Sequence, residues 1–466
     1  MDVEERGLVM KILITGATGL VGKAVCKSLY QEGHEISILS RRANADIYGL
    51  DIKVHQWRDC KTPPPSEAFE DIDGIINLMG EAIFGGYFSK RKKKAVWDSR
   101  VTATQQISQA VKHSGRKLKF YLGASAIGYY RFSDQVQNED SQAGDHWLST
   151  LCQAWEEAHN SVPSSSHCTV RIGLVLSHSA ELITSIMKSG LCSIIPRFGS
   201  GKQIMSWIHL EDLKEVICDG VKGKIEGPVN AVSPNNCTAN EFNSLIKGYF
   251  NRPIAILPVP NAIMRRIAGE PASVILQSQN ILPTKLQAAN FNFAYSKVNE
   301  ALKDSLGLSK NPRNQDLEPC FTFEAHQYIP LSKEEVWPFF SDPHNLEKIT
   351  PEALHFKIIN ISDNQIQAKS LIEYRLRLRG IPIHWKTLID SFEPNKEFVD
   401  TQTKGPYRIW HHTHTFTPCR NGTIMTDRVR YQLPLLPFGI IALPLIAREI
   451  GLIFSYRRQS ISKELH

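Results

Sequence analysis

The chain has 466 residues, of which 42% are apolar and 22% are charged, and its formal net charge is +7 at pH 7. This composition is that of ordinary folded protein, which excludes a disordered or wholly membrane-embedded chain, and the length predicts two or three domains. The basic residues are dispersed, and their densest run, Lys90 to Lys94, is typical of a solvated helix face. Nucleic acid is therefore not expected as a partner.

The cysteines and the apolar segments predict a cytoplasmic protein without a transmembrane segment. The nine cysteines form no CxxC pair, and the acidic start of the chain lacks the features of a signal peptide. The stretch from Leu433 to Ala447 is apolar, but it contains three prolines and its about 15 residues are fewer than a spanning helix needs. We interpret it as a segment that closes a domain core, with an interfacial segment as the alternative.

The first 300 residues alternate apolar runs with amphipathic stretches. The apolar runs read KILITG, HEISILS, DGIINLMG, KFYLGASAIG and TVRIGLVLS. They lack period-two alternation, as is typical of parallel strands buried on both faces. The pattern predicts an α/β domain over residues 10–307, built on a Rossmann-type doubly wound parallel sheet. A small substrate lobe is expected over roughly 178–307, above the edge of the sheet.

A glycine-rich turn, TGATGLVG, follows the first predicted strand and opens a helix. Its glycines lie where a backbone must bend sharply and let a pyrophosphate approach the helix N-terminus. A second strand ends about 20 residues later, as in a dinucleotide site. We therefore predict cofactor contacts in the turn, from Gly16, Thr18, Gly19, Leu20, Val21 and Gly22.

The second strand ends in Ser40, Arg41 and Arg42, where an NAD-binding protein usually carries an acidic residue. A guanidinium offers paired donors to the oxygens of a 2′-phosphate, whereas a carboxylate repels them. The sequence therefore favours NADP(H) over NAD(H). The alternative is a pair of surface arginines without a ligand.

Residues 11 to about 305 resemble the extended short-chain dehydrogenase/reductases, and within them the atypical "epimerase family" group of the NAD-dependent epimerase/dehydratase superfamily, a sugar nucleotide epimerase group. The motifs that carry the resemblance are TGATGLVG (15–22), NLMGE (77–81), WDSRVTAT (97–104), GASAIGYY (123–130), CQAWEEA (152–158), RIGLVLS (171–177), FGSGKQIMSWIHLEDL (198–213), PVNAVSP (228–234) and ILPTKL (281–286).

The resemblance implies further cofactor contacts. Ser40 and Arg41 are expected at the adenosine phosphate end of NADP(H). The adenine-ribose path is expected to run along Leu78 and Met79, with Arg100 reaching the cofactor and Val175 near the nicotinamide. A purely structural role is the alternative for Arg100. In the SWIHLEDL motif, His209 and Asp212 are interpreted first as hydrogen-bonding residues that join the lobes and second as substrate contacts.

The catalytic residues of the resembled enzymes are only partly present. Such enzymes use a Tyr-x-x-x-Lys pair with a Ser, in which the lysine lowers the pKa of the tyrosine. Aligning on Glu156 puts Leu148 and Cys152 at the two positions of the pair, and neither exchanges protons as Tyr and Lys do. Ser125 stands at the serine position, and Tyr129, on the same loop, is the candidate substitute acid. A packing role is the alternative for this tyrosine.

The polar residues 308–318 are typical of a linker. The residues that follow, 319–466, resemble the SRPBCC superfamily. The resemblance rests on FEAHQYIPLSKEEVWPFFSDPHNLEKITP and GPYRIWHHTHTFTPCRNGTIMTDRVRYQLP. It implies an α+β helix-grip (START-like) domain that holds a hydrophobic ligand.

In the second stretch, His412 and His414 share one face of a strand while His411 points the other way. Without a nearby carboxylate or cysteine, they predict no metal site.

Two hypotheses on function follow from the resemblance. The first is an NADP(H)-dependent oxidoreductase or epimerase that acts on a small-molecule substrate. The second is a catalytically weak NADP(H)-binding sensor or scaffold, coupled to a hydrophobic ligand in the C-terminal domain. The cofactor turn supports the first, and the missing Tyr-x-x-x-Lys pair supports the second. A homodimer is compatible with both.

Overall fold

A computed structural model gives the fold of the chain. It describes residues 9–84, 87–312, 314–434 and 438–465, with the backbone alone at 268, 438 and 440.

The N-terminal part is built on a seven-stranded sheet with strand order β12-β7-β5-β4-β1-β2-β3, in which every neighbouring pair is parallel. The predicted Rossmann-type fold is therefore confirmed. The elements up to the last of these strands are β1 (Lys11–Thr15), α1 (Leu20–Gln31), β2 (Glu35–Ser40), β3 (Lys53–Gln56), β4 (Gly74–Asn77), α2 (Lys90–Trp97), α3 (Ala103–His113), β5 (Leu118–Ala126), β6 (Ser133–Gln137), α4 (Trp147–Asn160), β7 (Ser164–Ile172), β8 (Leu174–Leu176), α5 (Glu181–Leu191), β9 (Ile194–Phe198), β10 (Ile204–Met205), β11 (Trp207–His209), α6 (Leu210–Val221) and β12 (Gly227–Ala231).

The smaller lobe consists of short elements that pair in twos. β6 pairs with β15, β9 with β14, and β10 with β13. The elements that follow β12 are β13 (Cys237–Thr238), α7 (Ala239–Tyr249), β14 (Ala255–Val259), α8 (Asn261–Ala268), α9 (Ala272–Leu276), β15 (Gln279–Ile281), α10 (Thr284–Ala288), α11 (Val298–Ser305), β16 (Ser309–Lys310) and β17 (Leu317–Glu318).

The lobe is not the single segment that was predicted over roughly 178–307. Helix α6 packs against α1, and β12 pairs with β7 as an edge strand of the parallel sheet. The chain returns to the sheet here because α6 and β12 complete one more right-handed crossover unit. The PVNA run of the PVNAVSP motif belongs to this strand and not to the lobe.

The C-terminal part is a second seven-stranded sheet, β18-β24-β23-β22-β21-β20-β19, whose pairings are all antiparallel. The long helix α14 packs on it through Ile450, Phe454 and Ile461, which are buried. The elements are β18 (Phe321–Ile329), α12 (Lys333–Ser341), α13 (Asn345–Lys348), β19 (Lys357–Ile361), β20 (Leu371–Leu378), β21 (Ile381–Glu393), β22 (Glu397–Lys404), β23 (Ile409–Cys419), β24 (Gly422–Gln432) and α14 (Leu443–Glu464).

The apolar stretch from Leu433 to Ala447 leads from β24 into α14. Residues 435–437 lie outside the described part, and Leu433 and Leu443 are buried in the cluster that joins β24 to α14. Within the described residues, no helix has the length and the hydropathy to cross a membrane.

The two sheets are joined by direct contacts on one side of helix α1. The Tyr30 ring on this helix lies edge-on to Tyr328 of the C-terminal sheet, with 5.8 Å between ring centroids. The Tyr328 amide also donates to the Tyr48 carbonyl at 2.9 Å. From helix α14, the Arg458 guanidinium binds both carboxylate oxygens of Asp46, at 2.6 and 3.0 Å. The loop after β2 is therefore held by the C-terminal domain.

Charged groups extend this interface towards α11. Asp304 lies 3.3 Å from the ring of His209 and 3.3 Å from the guanidinium of Arg430. Nearby, Glu324 pairs with Arg428 at 2.7 Å. Burial opposes the charge of Glu324, but the His326 and Arg428 groups beside it outweigh burial and hold its pKa well below the usual range.

We expect fragments 1–312 and 318–466 each to fold, because each sheet is complete on its own side of the short β16–β17 pair. Each fragment exposes part of the interface, including the buried Ile424, so its melting temperature is expected to lie below that of the intact chain, by about 2 to 4 °C for each kcal/mol lost. Thermal denaturation by circular dichroism measures this. Aggregation of both fragments, or the lack of a preferred proteolytic site between 306 and 320, would show that the domains share one core.

Candidate active site

The glycine turn brings the start of α1 against the end of β4, with no room for side chains between them. Gly16 has a φ of +70°, and a Cβ on it would lie 2.5 Å from the Leu78 carbonyl oxygen. A Cβ on Gly22 would lie 2.2 Å from the Gly16 carbonyl oxygen. Both positions therefore require glycine, as the sequence predicted for a turn of this kind.

The third glycine leaves space for a ligand. Gly19 is the N-cap of α1 in an extended conformation, without a side-chain cap. A Cβ on it would meet only the Gly16 carbonyl oxygen, at 3.3 Å. The first-turn amides of α1, at Leu20 and Val21, thus face a gap beside Thr18 at the positive end of the helix dipole, which favours an anion.

The arginines after β2 lie exposed at the edge of this gap. The Arg42 amide donates to the Ser40 hydroxyl at 3.1 Å, and the Gln56 side chain donates to the Arg41 carbonyl at 3.1 Å, so the backbone is fixed while the guanidinium groups are free to meet a ligand. The pKa of Glu81 is lowered, first by its hydrogen bond from Lys92 and further by the charge of Arg41. The charge of Arg41 is therefore close enough to act on Glu81, in the segment after β4.

That segment is braced by Arg100. Its guanidinium donates to the Glu81 carbonyl at 2.9 Å and to the Val96 carbonyl at 3.3 Å, and it lies over the Trp155 ring at 5.2 Å. Burial lowers its pKa to about 10. These contacts match the structural alternative for Arg100, and they hold the backbone next to Gly80 in place.

Leu78, Met79 and Val175 were also expected along the cofactor path. Leu78 and Met79 are half-buried, and their amides bind the Thr15 carbonyl at 3.2 Å and the Asn77 side chain at 3.3 Å. Val175 is half-buried on β8, which pairs with β11.

At the end of β5, Ser125 belongs to a buried ion-pair network. Its hydroxyl donates to Glu156 at 2.7 Å. Glu156 in turn accepts two hydrogen bonds from the Arg171 guanidinium, at 2.9 and 2.8 Å. Burial opposes the charge of Arg171, but its hydrogen bonds to Glu156 outweigh burial and raise the pKa of the guanidinium. A negative charge is thereby fixed one hydrogen bond away from Ser125.

The two tyrosines that follow Ser125 have different environments. The Tyr130 hydroxyl accepts from Arg171 and donates to Asn230, both at 2.7 Å, and burial raises its pKa to about 12. Tyr129 is half-buried, with the Arg171 guanidinium 3.6 Å from its ring centroid. Among the described residues its hydroxyl has no hydrogen-bond partner, so it is the phenol left available to a substrate.

The side chains at the positions of the missing Tyr-x-x-x-Lys pair do face this loop. A Cβ on Gly128 would lie 3.5 Å from Leu148 Cβ and 3.9 Å from Cys152 Sγ. Burial raises the pKa of Cys152 to about 12, so the thiol stays protonated at neutral pH. Neither group supplies the proton relay of the resembled enzymes.

The sequence reasoning missed Arg171 and Asn230 as members of this site and used Glu156 only as an alignment marker. A signal was present, because an arginine inside the apolar run TVRIGLVLS must find a counter-charge when its strand is buried on both faces. The partner lies on α4 and cannot be found from spacing alone.

His209 and Asp212 tie the sheet to the later part of the chain. His209 is the N-cap of α6, where its ring accepts from the Glu211 amide at 3.3 Å. Asp212 accepts from the Ala294 and Tyr295 amides at 2.7 and 3.1 Å.

The histidines of the C-terminal sheet require a correction, since two carboxylates lie beside them. His412 and His414 share a face, as predicted, with ring centroids 3.8 Å apart, whereas His411 turns away towards Thr401. Asp400 comes within 3.3 Å of His412 and 3.0 Å of His414, and Asp427 within 2.9 and 2.8 Å. The sequence did not show this, because the two aspartates come from the neighbouring strands β22 and β24.

Comparisons with known proteins cover the N-terminal part. The profile of the NAD dependent epimerase/dehydratase family matches residues 12–219, and a domain of unknown function (DUF1731) matches residues 259–305. The chain is 32% identical to Epimerase family protein Mb2239 of Mycobacterium bovis over 62% of its length and 96% of that protein. It is also 32% identical to Epimerase family protein YfhF of Bacillus subtilis over 65% of its length and 99% of that protein.

Among solved structures, that of human epimerase family protein SDR39U1 (isoform 2) with NADPH is similar with a TM-score of 0.56 and 25% identity. The similarity covers 64% of this chain and 99% of the human chain.

We expect Glu156→Gln to destabilise the protein, because it leaves the buried Arg171 charge without a counter-charge. The free energy of unfolding is expected to fall by about 3 to 5 kcal/mol, measured by urea denaturation. Glu157→Gln is the matched control, since Glu157 is exposed on the same helix and its change is expected to stay within about 0.5 kcal/mol. Equal effects of the two substitutions would show that the pair does not stabilise the site.

Proposed function

Since the chain belongs to the NAD dependent epimerase/dehydratase family, we propose that it is an NADP(H)-dependent oxidoreductase or epimerase of a small molecule. The observation that carries this proposal is the open space beside Gly19, at the N-terminus of α1. There the glycines leave room for a pyrophosphate over the N-terminus of α1. A second observation is that the hydroxyl of Tyr129 remains available beside the buried network of Ser125.

NADP(H) is the proposed form of the cofactor. Arg41 is exposed directly after β2, a strand that ends without an acidic residue, so it suits a 2′-phosphate. The similar human protein has been solved with NADPH, which supports the same choice here. Gly16, Gly19 and Gly22 would hold the pyrophosphate, with Ser40 at the adenosine phosphate end, Leu78 and Met79 along the ribose path, and Val175 towards the nicotinamide. The bound cofactor would supply the hydride-transfer chemistry.

Side chains of the protein would carry out the proton transfer. With its hydroxyl hydrogen directed to Glu156, Ser125 presents oxygen lone pairs, which accept a hydrogen bond from a substrate hydroxyl. The Tyr129 phenol would donate or receive the proton at the reacting oxygen, and Arg171 over its ring would stabilise negative charge there. Because no lysine activates this phenol, slow turnover is expected.

A second candidate function is supported by the same geometry. Leu148 and Cys152 occupy the positions of the missing Tyr-x-x-x-Lys pair, and Cys152 stays protonated. A chain that binds NADP(H) with little turnover would act as a sensor or scaffold. Incubation with NADPH and a panel of carbonyl compounds and nucleotide sugars separates the two, because saturable turnover that is lost with Gly19→Val favours the enzyme.

We also propose that the C-terminal domain is a START-like helix-grip domain that binds a hydrophobic ligand. The resemblance of residues 319–466 to the SRPBCC superfamily supports this, and so does the cavity between the antiparallel sheet and α14, which has an empty volume of about 1230 Å³ including its mouth. We further propose that the protein lies in a reducing compartment such as the cytoplasm, because its nine cysteines are all unpaired. We also propose that it forms a homodimer.

We expect Arg41→Ala to weaken the binding of NADPH by about 1.5 to 3 kcal/mol, because charge-assisted hydrogen bonds to the 2′-phosphate are lost. The binding of NADH, which lacks this phosphate, is expected to change little. Fluorescence titration of both nucleotides measures the effect, with Arg116→Ala as a control at an exposed arginine before β5. Equal losses for NADPH and NADH would contradict the assignment of Arg41.

On any substrate that the panel identifies, we expect Ser125→Ala and Tyr129→Phe each to lower kcat by about 10²-fold, the usual effect of one acid-base group. Cys152→Ala is the control from the same site, and its rate is expected to stay close to that of the unchanged protein. Steady-state kinetics at saturating NADPH measures all three. If Cys152→Ala abolishes turnover while the other two variants keep it, the assignment of the proton-transfer groups is wrong.

A further inference from the structure

The cavity of the C-terminal domain combines apolar walls with a charged floor. It lies between the sheet and helices α12, α13 and α14. Its walls are mostly aromatic and aliphatic, and include Phe340, Ile372, Trp385, Ile389, Phe398 and Phe454. Its floor carries Asp400, His412, His414 and Arg457. An apolar pocket with a few convergent polar groups is the usual form of a small-molecule site.

The two histidines of the floor are held in a closed ring with two carboxylates. The nitrogens of His412 lie 3.3 Å from Asp400 and 2.9 Å from Asp427, and those of His414 lie 3.0 and 2.8 Å from the same two residues. Two of these contacts are hydrogen bonds, one between His412 Nε2 and Asp427 at 2.9 Å and one between His414 Nε2 and Asp400 at 3.0 Å. Burial opposes protonation of His412, but Asp400 and Asp427 outweigh it and raise its pKa.

Arg457 adds a buried guanidinium beside this ring. Its Nε lies 3.5 Å from Asp427, and its Nη2 lies 3.5 Å from a His414 nitrogen, both long for hydrogen bonds. Its residue exposure is 9%, and its Nε has no hydrogen-bond partner in the described part of the chain. A buried donor of the guanidinium therefore remains unused.

We propose that this cavity takes up an apolar molecule ending in a carboxylate, with the carboxylate bound by Arg457 above the His412–His414 ring. The proposal rests on the proposed function of the C-terminal domain and specifies the ligand class. The apolar walls bind the hydrocarbon part, while the ligand carboxylate accepts hydrogen bonds from the unused guanidinium donor.

A metal ion fits the same floor less well. Asp400, His412 and His414 offer ligand atoms within 4.8 Å of one another. All four ring nitrogens, however, already face carboxylate oxygens, and the Arg457 guanidinium beside His414 opposes an added cation. A carboxylate bound by Arg457 leaves the ring intact.

The test is displacement of the neutral fluorescent probe N-phenyl-1-naphthylamine from the full-length protein by decanoate and by decanol. NADP⁺ is present throughout so that the N-terminal cleft does not take up the probe. We expect decanoate to displace the probe at a concentration at least about tenfold lower than decanol, because only the acid makes charge-assisted bonds. Arg457→Gln is expected to remove this preference and leave decanol unchanged, whereas Arg457→Lys keeps part of it.

The matched control is Arg448→Gln, an exposed arginine on the same helix, which is expected to keep the full preference. Equal displacement by decanoate and decanol would overturn the carboxylate inference while leaving a hydrophobic site in place. Failure of the probe and of both ligands to bind would overturn the proposed function of the domain together with this inference. If Arg457→Gln does not fold, the decanoate to decanol ratio of the unchanged protein decides. Stoichiometric binding of Zn²⁺ that His412→Gln abolishes would assign the floor to a metal instead.

Discussion

Helix α1 approaches the turn after β1 closely only because two positions carry no side chain. The missing Cβ at Gly16 lets the turn touch the backbone after β4, and the missing Cβ at Gly22 lets the helix touch the turn. This crowding fixes where the N-terminus of α1 points and leaves the gap above Gly19. The C-terminal end of the same helix carries Tyr30, which packs on Tyr328 of the second sheet. One helix therefore contacts both the glycine turn and the C-terminal domain.

The C-terminal domain contacts the loop that follows β2, beside the proposed cofactor site. Arg458 of α14 holds Asp46, in the loop that begins with Arg41. The preceding residue, Arg457, lines the C-terminal cavity. A single helical turn thus contacts the cavity on one side and the loop after β2 on the other, which places the two proposed ligand sites within reach of the same element.

Both sites hold their charges by pairing buried groups. Near Ser125, the bidentate pair of Glu156 and Arg171 balances its own charge, and within the described residues the Tyr129 hydroxyl has no hydrogen-bond partner. In the C-terminal cavity the pairing is incomplete, because the buried Nε of Arg457 has no hydrogen-bond partner in the part of the chain that the structure describes. A balanced network rigidifies a site, whereas an unbalanced one favours a ligand of opposite charge. This difference separates a proposed reaction site from a proposed recognition site.

The sequence by itself determined the features that depend on neighbours along the chain. The glycine turn, the parallel strands buried on both faces and the shared face of His412 and His414 follow from local spacing, and the structure agrees. Only the tertiary structure decided which groups meet from distant strands and helices. Asp400 and Asp427 reach the histidines from two other strands. Helix α6 and strand β12 return to the parallel sheet, and Glu156 of α4 pairs with Arg171 of β7. Periodicity gives the face on which a side chain lies, but it carries no information on the partner that packing brings to that face.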